Sequence, residues 1–188
     1  SVLWSTTGSG VIANGTTLTP TYTPGATETG NVTLTLTAPA SGSCPAAADN
    51  VIITINRAPT VTLATTAEIC STDGTYTIAG TTVSAASTYD GLLWTTTGTG
   101  GFSNSTALNP VYTPSAADRT AGTVTLRLTA DAKGTCADDF DELVLTISPQ
   151  AVVNAGADFE VCYTAGAIAV TGTGSNYASV LWSTTGSG

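Results

Sequence analysis

The stretch TVTLRLTA, Thr123 to Ala130, alternates Val124, Leu126 and Leu128 with Thr123, Thr125, Arg127 and Thr129. A period of two puts the apolar set on one face of a strand and the polar set on the other. Earlier in the chain NVTLTLTA, Asn31 to Ala38, repeats the pattern with Val32, Leu34 and Leu36. The runs VIITI at Val51 to Ile55 and LVLTI at Leu143 to Ile147 read as closing strands, and Tyr76, Ile78 and Val83 as an earlier strand beyond the turn STDG. GTGG, TPG and TAG supply further turns. No stretch of useful length has a period of 3.6, and PSAADRTAG holds a single helical turn at most.

These strands recur. Trp4, Trp94 and Trp182 are separated by 90 and 88 positions, and the first ten residues, SVLWSTTGSG, return unchanged at Ser179 to Gly188. GLLWTTTGTG at Gly91 to Gly100 is a looser copy. Tyr22 and Tyr112 each follow their tryptophan by 18 positions and open the triplet YTP. Cys44 precedes Ile55 by 11, as Cys136 precedes Ile147, and EIC at Glu68 matches EVC at Glu160. The copies differ by two residues between YTP and the next strand, where a turn tolerates a length change. About seven short strands per copy, separated by turns, describe an all-β fold of tandem immunoglobulin-like (PKD-like) β-sandwiches. Residues 1–57 carry the later strands of one repeat, 58–148 a complete repeat and 149–188 the first strands of a third. The order Cys70, Trp94, Cys136 matches the immunoglobulin pattern in outline.

Composition narrows the function. The net charge is −9 with four Lys plus Arg, which excludes a nucleic-acid partner because phosphates demand cations. No apolar run reaches the roughly 20 residues of a membrane helix. With no histidine the usual catalytic triads and most zinc sets are absent. The four cysteines, Cys44, Cys70, Cys136 and Cys162, fit disulfides in an oxidising setting, with free thiols as the bland alternative. Repeat symmetry removes a Cys44–Cys136 bridge. Cys70 with Cys136 closes one repeat near its end and stabilises by about 4 kcal/mol in the chain-entropy model. Cys162 would then bond the Cys44 equivalent of a next copy. The competing set joins Cys44 to Cys70 and Cys136 to Cys162.

The string LLWTTTGTGGFSNSTALNPVYTPSAADRTAGTVTLRLTA, followed by GTC and LVLTI, resembles tandem repeats of giant secreted surface proteins of Bacteroidetes, as does AGADFEVC at Ala155. These are gliding-motility-type adhesins and related PKD-like repeat proteins. The resemblance covers essentially the whole chain. It implies an extracellular, cell-surface array exported by type IX secretion, without catalytic residues.

Two clusters invite a sharper chemistry. CADDFDEL gathers Asp138, Asp139, Asp141 and Glu142, and hard cations such as calcium want several carboxylate oxygens. The matching CPAAADNV keeps only Asp49 and Asn50, so a solvated loop or strand edge is the preferred reading, with no cofactor. GTGG lacks the lysine and following helix of a phosphate loop and reads as a turn. The tryptophans could form a sugar platform, but on strands flanked by leucine they read as core.

The reading that results is a non-catalytic structural segment of an extracellular filament or adhesin stalk. Its partners are neighbouring repeats or copies arranged head to tail. Rivals are an Ig-like module that binds surface glycan or calcium, and a fibre subunit that polymerises by donating strands. The two partial repeats are complementary, since Ala151 to Ala178 followed by Ser1 to Ile55 would make one complete domain. The ten-residue echo is therefore expected to mark one period of a longer array.

Overall fold

The computed structural model describes residues 1–185. In chain order its strands begin with β1 (Leu3–Thr6), β2 (Val11–Ala13), β3 (Thr21–Thr23), β4 (Gly30–Ala38) and β5 (Ala47–Ile55). There follow β6 (Val61–Thr62), β7 (Thr66–Cys70), β8 (Tyr76–Thr77), β9 (Thr82–Val83), β10 (Tyr89–Thr96), β11 (Gly101–Phe102) and β12 (Val111–Thr113). A helix, α1 (Ala116–Ala121), precedes β13 (Thr123–Ala132), β14 (Asp139–Ser148), β15 (Val152–Asn154) and β16 (Thr173–Ser175). The fold is all-β and immunoglobulin-like. By mutual contact the chain divides into two compact units. One is Ser1–Thr62 with Thr82–Leu93 and Thr129–Phe140; the other is Leu63–Thr81 with Trp94–Leu128 and Asp141–Gly188.

In the first unit β4 and β5 form a long antiparallel hairpin from Gly30 opposite Ile55 to Ala38 opposite Ala47. β1 lies along the other side of β4, with Trp4 opposite Leu36. Val32 and Leu34 are buried on one face. On the other, Thr35 and Thr54 donate hydroxyl hydrogen bonds to Asn50 and Asn31 across the strands. Thr-rich strands can thus satisfy a wet face with few charges. β2 pairs with β3, and β6 with β9, as separate two-stranded ribbons.

In the second unit the alternation of β13 is realised as read. Trp94, Val124, Leu126, Leu128, Leu143, Leu145 and Ile147 are all buried, with Trp94 only 2% exposed, while Thr123, Thr125 and Arg127 keep solvent access. The strands are ordered β10-β13-β14-β7, and β7 runs parallel to β14 from Thr66 opposite Val144 to Cys70 opposite Ser148. A ribbon in the order β11-β12-β8 carries the buried Tyr112 and the half-buried Phe102, and Ile78, the residue after β8, is buried as well. Phe102 bridges Trp94 and Tyr112, its ring centroid 5.7 and 5.1 Å from theirs, in tilted arrangements favoured by the ring quadrupoles.

Three features differ from the sequence reading. PSAADRTAG forms a six-residue helix because it is capped at both ends: Ser115 and Asp118 make a capping box, and Gly122 takes the left-handed conformation at φ 77°. The tryptophans do not share one environment. Trp4 is half-buried and Trp182 is 58% exposed, because among the described residues β15 and β16 pair only with each other and bring no second layer to cover it. Residues 186–188 of the echo lie outside the described residues.

The cysteines are the third difference. All four are free thiols. Cys70 pairs with Ser148 at the last position of β14, whereas Cys136 lies before its first residue, Asp139. A ten-residue strand is about 30 Å long, and a disulfide needs Cα atoms roughly 4.4–6.8 Å apart. The expected Cys70–Cys136 bridge therefore cannot close within this repeat. The same spacing separates the position of Cys162 from that of Cys44, three residues before β5, when the repeats are superposed by sequence.

Leu126→Ala should destabilise the chain by about 2–5 kcal/mol in denaturant unfolding, since it opens a cavity at a fully buried site. Its neighbour Thr125→Ala should change stability by no more than about 0.5 kcal/mol. Equal effects at the two positions would contradict the facing of β13.

Candidate functional site

The ten-residue echo becomes intelligible at the end of β10. Trp94 points inward and donates from Nε1 to the Ala107 carbonyl at 3.0 Å. Thr96 Oγ1 accepts from the Gly98 amide at 3.0 Å, and Thr97 Oγ1 accepts from Thr125 N–H at 3.0 Å, closing the ladder onto β13. The chain then turns through Gly98-Thr99-Gly100, and this turn presents its N–H groups to a carboxylate. Asp118 Oδ1 accepts from Thr99 N–H and Oδ2 from Gly100 N–H, both at 2.9 Å. Oδ2 also accepts from the Tyr112 hydroxyl at 2.8 Å and from Ser115 N–H at 2.9 Å. The glycine-rich turn that superficially looked like a phosphate loop does hold an anion, and the anion is the protein's own.

Both glycines are sterically required. A Cβ on Gly98 would collide with the Asp118 carboxylate and stand 2.8 Å from Val124, and one on Gly100 would stand 2.5 Å from the Tyr112 hydroxyl. Asp118 is itself buried. Burial raises its pKa, but the hydrogen bonds from Thr99, Ser115 and Tyr112 outweigh that and hold it below the ordinary aspartate value. Burial pushes the Tyr112 hydroxyl up, so it stays protonated and keeps donating.

The first unit contains the same device. Trp4 Nε1 donates to Thr17 O at 3.0 Å, Gly8 N–H to Thr6 Oγ1 at 3.0 Å, and Thr33 N–H to Thr7 Oγ1 at 3.0 Å. The anion here is Glu28, which accepts from Ser9 N–H at 2.6 Å, the Tyr22 hydroxyl at 2.7 Å and Gly25 N–H at 2.9 Å. The Tyr22 hydrogen bond is the main cause of its lowered pKa. In both repeats the carboxylate follows the tyrosine by six positions, in YTPSAAD and YTPGATE. Where the second repeat presents aspartate from α1, the first has the turn Gly25–Glu28, and the longer glutamate side chain makes the reach. The sequence reading found YTP and the glycines but missed the carboxylate. The signal was an acidic residue at the same offset in both copies.

The acidic stretch is used differently. Asp138 Oδ1 accepts from Ala132 N–H at 2.8 Å. Asp139 Oδ2 accepts from Val61 N–H at 2.7 Å, and Asp141 Oδ2 from Leu63 N–H at 2.8 Å. Residues two apart on β14 thus cap alternate amides at and just beyond β6, on the approach to β7. Glu142, on the opposite face of the strand, lies 3.8 Å from Arg127. Among the described residues no cluster of three or more His, Cys, Asp or Glu is placed to hold a metal ion. No described helix is long and apolar enough to cross a membrane.

No protein-family model matches the sequence, and no curated protein matches it. Similar solved structures include human CDH23 EC21-23, with a TM-score of 0.47 and 11% identity over 92% of this chain and 73% of that one. Human Protocadherin-24 EC1-2 has a TM-score of 0.36 and 10% identity over 78% of this chain and 81% of that one. Protocadherin Gamma B2 extracellular cadherin domains 3-6 has a TM-score of 0.38 and 13% identity over 82% of this chain and 44% of that one. None of the three is a gliding-motility-type adhesin.

Asp118→Asn should cost about 1–3 kcal/mol at neutral pH, because an amide cannot satisfy every donor the carboxylate holds. A depressed folded-state pKa means stabilisation that is present above the unfolded value, near 3.9, and is lost as pH falls through the folded one. Unfolding midpoints should therefore drop below about pH 4, and less steeply in Asp118→Asn. An identical acid limb in the variant would show that Asp118 carries no such linkage.

Proposed function

We propose that the chain is a non-catalytic structural segment of an extracellular stalk or filament, built from tandem Ig-like repeats. The observation that carries this reading is the twice-built tyrosine–carboxylate cage. The motif repeated most faithfully in sequence is occupied from within by Asp118 or Glu28, and its polar atoms face one another. Repetition at this site therefore preserves folding geometry. The acidic stretch supports the same reading, since Asp138, Asp139 and Asp141 each accept backbone amides and act as staples for neighbouring chain.

In this reading each repeat is a spacer. A sandwich with ten-residue strands is about 3.5–4 nm long, so two repeats would give a period of about 8 nm along the fibre. The resemblance to Bacteroidetes surface repeats supports a cell-surface location and type IX export. The neighbouring repeats themselves are the partners.

An antibody to this chain, applied to intact cells and viewed by electron microscopy, should decorate surface fibres at a regular spacing of about 8 nm. Label confined to the cytoplasm would sink the reading. The calcium-binding rival makes a separate demand. Millimolar calcium should leave the melting temperature unchanged here, because Asp139 and Asp141 are committed to amides, whereas a rise of several degrees that EDTA reverses would favour that rival.

A further inference from the structure

We infer that the open edges of β5 and β3 are a docking surface for residues 158–170 of a second copy of this chain, which enter as two added strands. Superposition of the repeats by sequence supplies the argument. In the complete repeat β14 is flanked by β7, and β12 by β8. Their counterparts in the first unit, β5 and β3, have no strand on the corresponding side among the described residues. An unpaired strand edge offers a row of N–H and C=O groups ready to pair.

The strands that would fill these edges are present in sequence and idle in structure. Asp158–Cys162 corresponds to β7 and Ile168–Ala169 to β8, yet neither stretch is a strand. Their apolar side chains are exposed where their counterparts are covered: Val170 is 51% exposed and its counterpart Ile78 is 1% exposed. The receiving side shows the same contrast, with Val51 at 46% and its counterpart Leu143 at 1%. The β6–β9 ribbon, which needs no further partner, has its counterpart in β15–β16, with the pairing moved by one residue. Among the described residues, the strands that have failed to form are ones whose counterparts' partners are absent.

The register transfers directly. β7 and β14 pair in parallel from Thr66–Val144 to Cys70–Ser148. A shift by 92 places Phe159 opposite Ile53, Val161 opposite Ile55 and Cys162 opposite Asn56. On the second edge, Tyr76 opposite Tyr112 becomes Ile168 opposite Tyr22. The amide of Ile78, which donates to the Pro110 carbonyl, becomes that of Val170 donating to Pro20. Asp49, the counterpart of Asp141, is left to cap Ala155 as Asp141 caps Leu63.

This inference deepens the stalk reading by naming the joint between copies. The test uses the whole 188-residue chain in light scattering and a synthetic peptide of residues 151–178. The chain should form a concentration-dependent ladder of oligomers, and the peptide should cap it to monomers. Asn56→Cys should yield, on mild oxidation, an intermolecular disulfide between position 56 and the native Cys162, identified by peptide mapping. Val170→Asp should raise the midpoint concentration for assembly at least tenfold. The control Val152→Asp, also at an exposed valine but with the exposed Thr60 as its counterpart, should not. A chain that stays monomeric and does not bind the peptide would overturn the inference, as would oligomers in which position 56 never links to Cys162. Surface fibres on cells together with a monomeric chain would keep the stalk and reject this joint. Assembly through this register without surface fibres would do the reverse.

Discussion

The hydrogen bonds that converge on Asp118 join parts of the second unit that are far apart in sequence. The turn after β10 contributes Thr99 and Gly100, β12 contributes Tyr112, and the entrance to α1 contributes Ser115. A buried charge is costly unless donors surround it, and here four of them do. The constraint works in both directions. The carboxylate organises loops that have few apolar side chains of their own, and those loops must keep their glycines and their length for it to fit. Much of the echo in the sequence follows from this one arrangement. The tryptophan sets the depth of the strand, two threonines close its end, and two glycines leave room for the anion.

With charged residues at only 9% of the chain, each acidic group has unusual weight. Several are spent on backbone amides rather than on cations: Asp118 and Glu28 in the cages, Asp139 and Asp141 beside β6, Asp73 on Cys70 N–H. A carboxylate can stand in for a missing ladder carbonyl at a place where strand pairing changes. Asp139 and Asp141 do this where Val61–Thr62 pairs with β9 and Thr66 onward pairs with β14. Threonine hydroxyls take the same part at lower cost on the wet faces of the strands. Such a chain remains well satisfied with few charges.

What could be seen in the sequence was what periodicity carries. The alternation in Thr123–Ala130 put the right residues of β13 inside, and the apolar runs located β5 and β14. The short pieces β6 to β9 were legible only in part, because two-residue ribbons are set by partners distant in the chain rather than by local pattern. Asp118 was invisible for a related reason. A lone aspartate in PSAADRTAG looks like solvated surface, and only the tertiary meeting of a tyrosine and two glycines makes it a core residue. The cysteines misled because their order suits an immunoglobulin bridge while their register does not. Cys70 sits at the far end of β14 from Cys136, and a strand position two residues from a turn carries no mark in sequence of which end of a sandwich it will occupy.

Local propensity and tertiary pairing part company most plainly at Phe159–Val170. These residues carry the pattern that makes β7 and β8 strands one repeat earlier, so intrinsic preference cannot explain why they remain irregular. The difference is the neighbour: β7 forms because β14 offers an edge, and β8 because β12 does. Strand formation at these sites is therefore a pairing event.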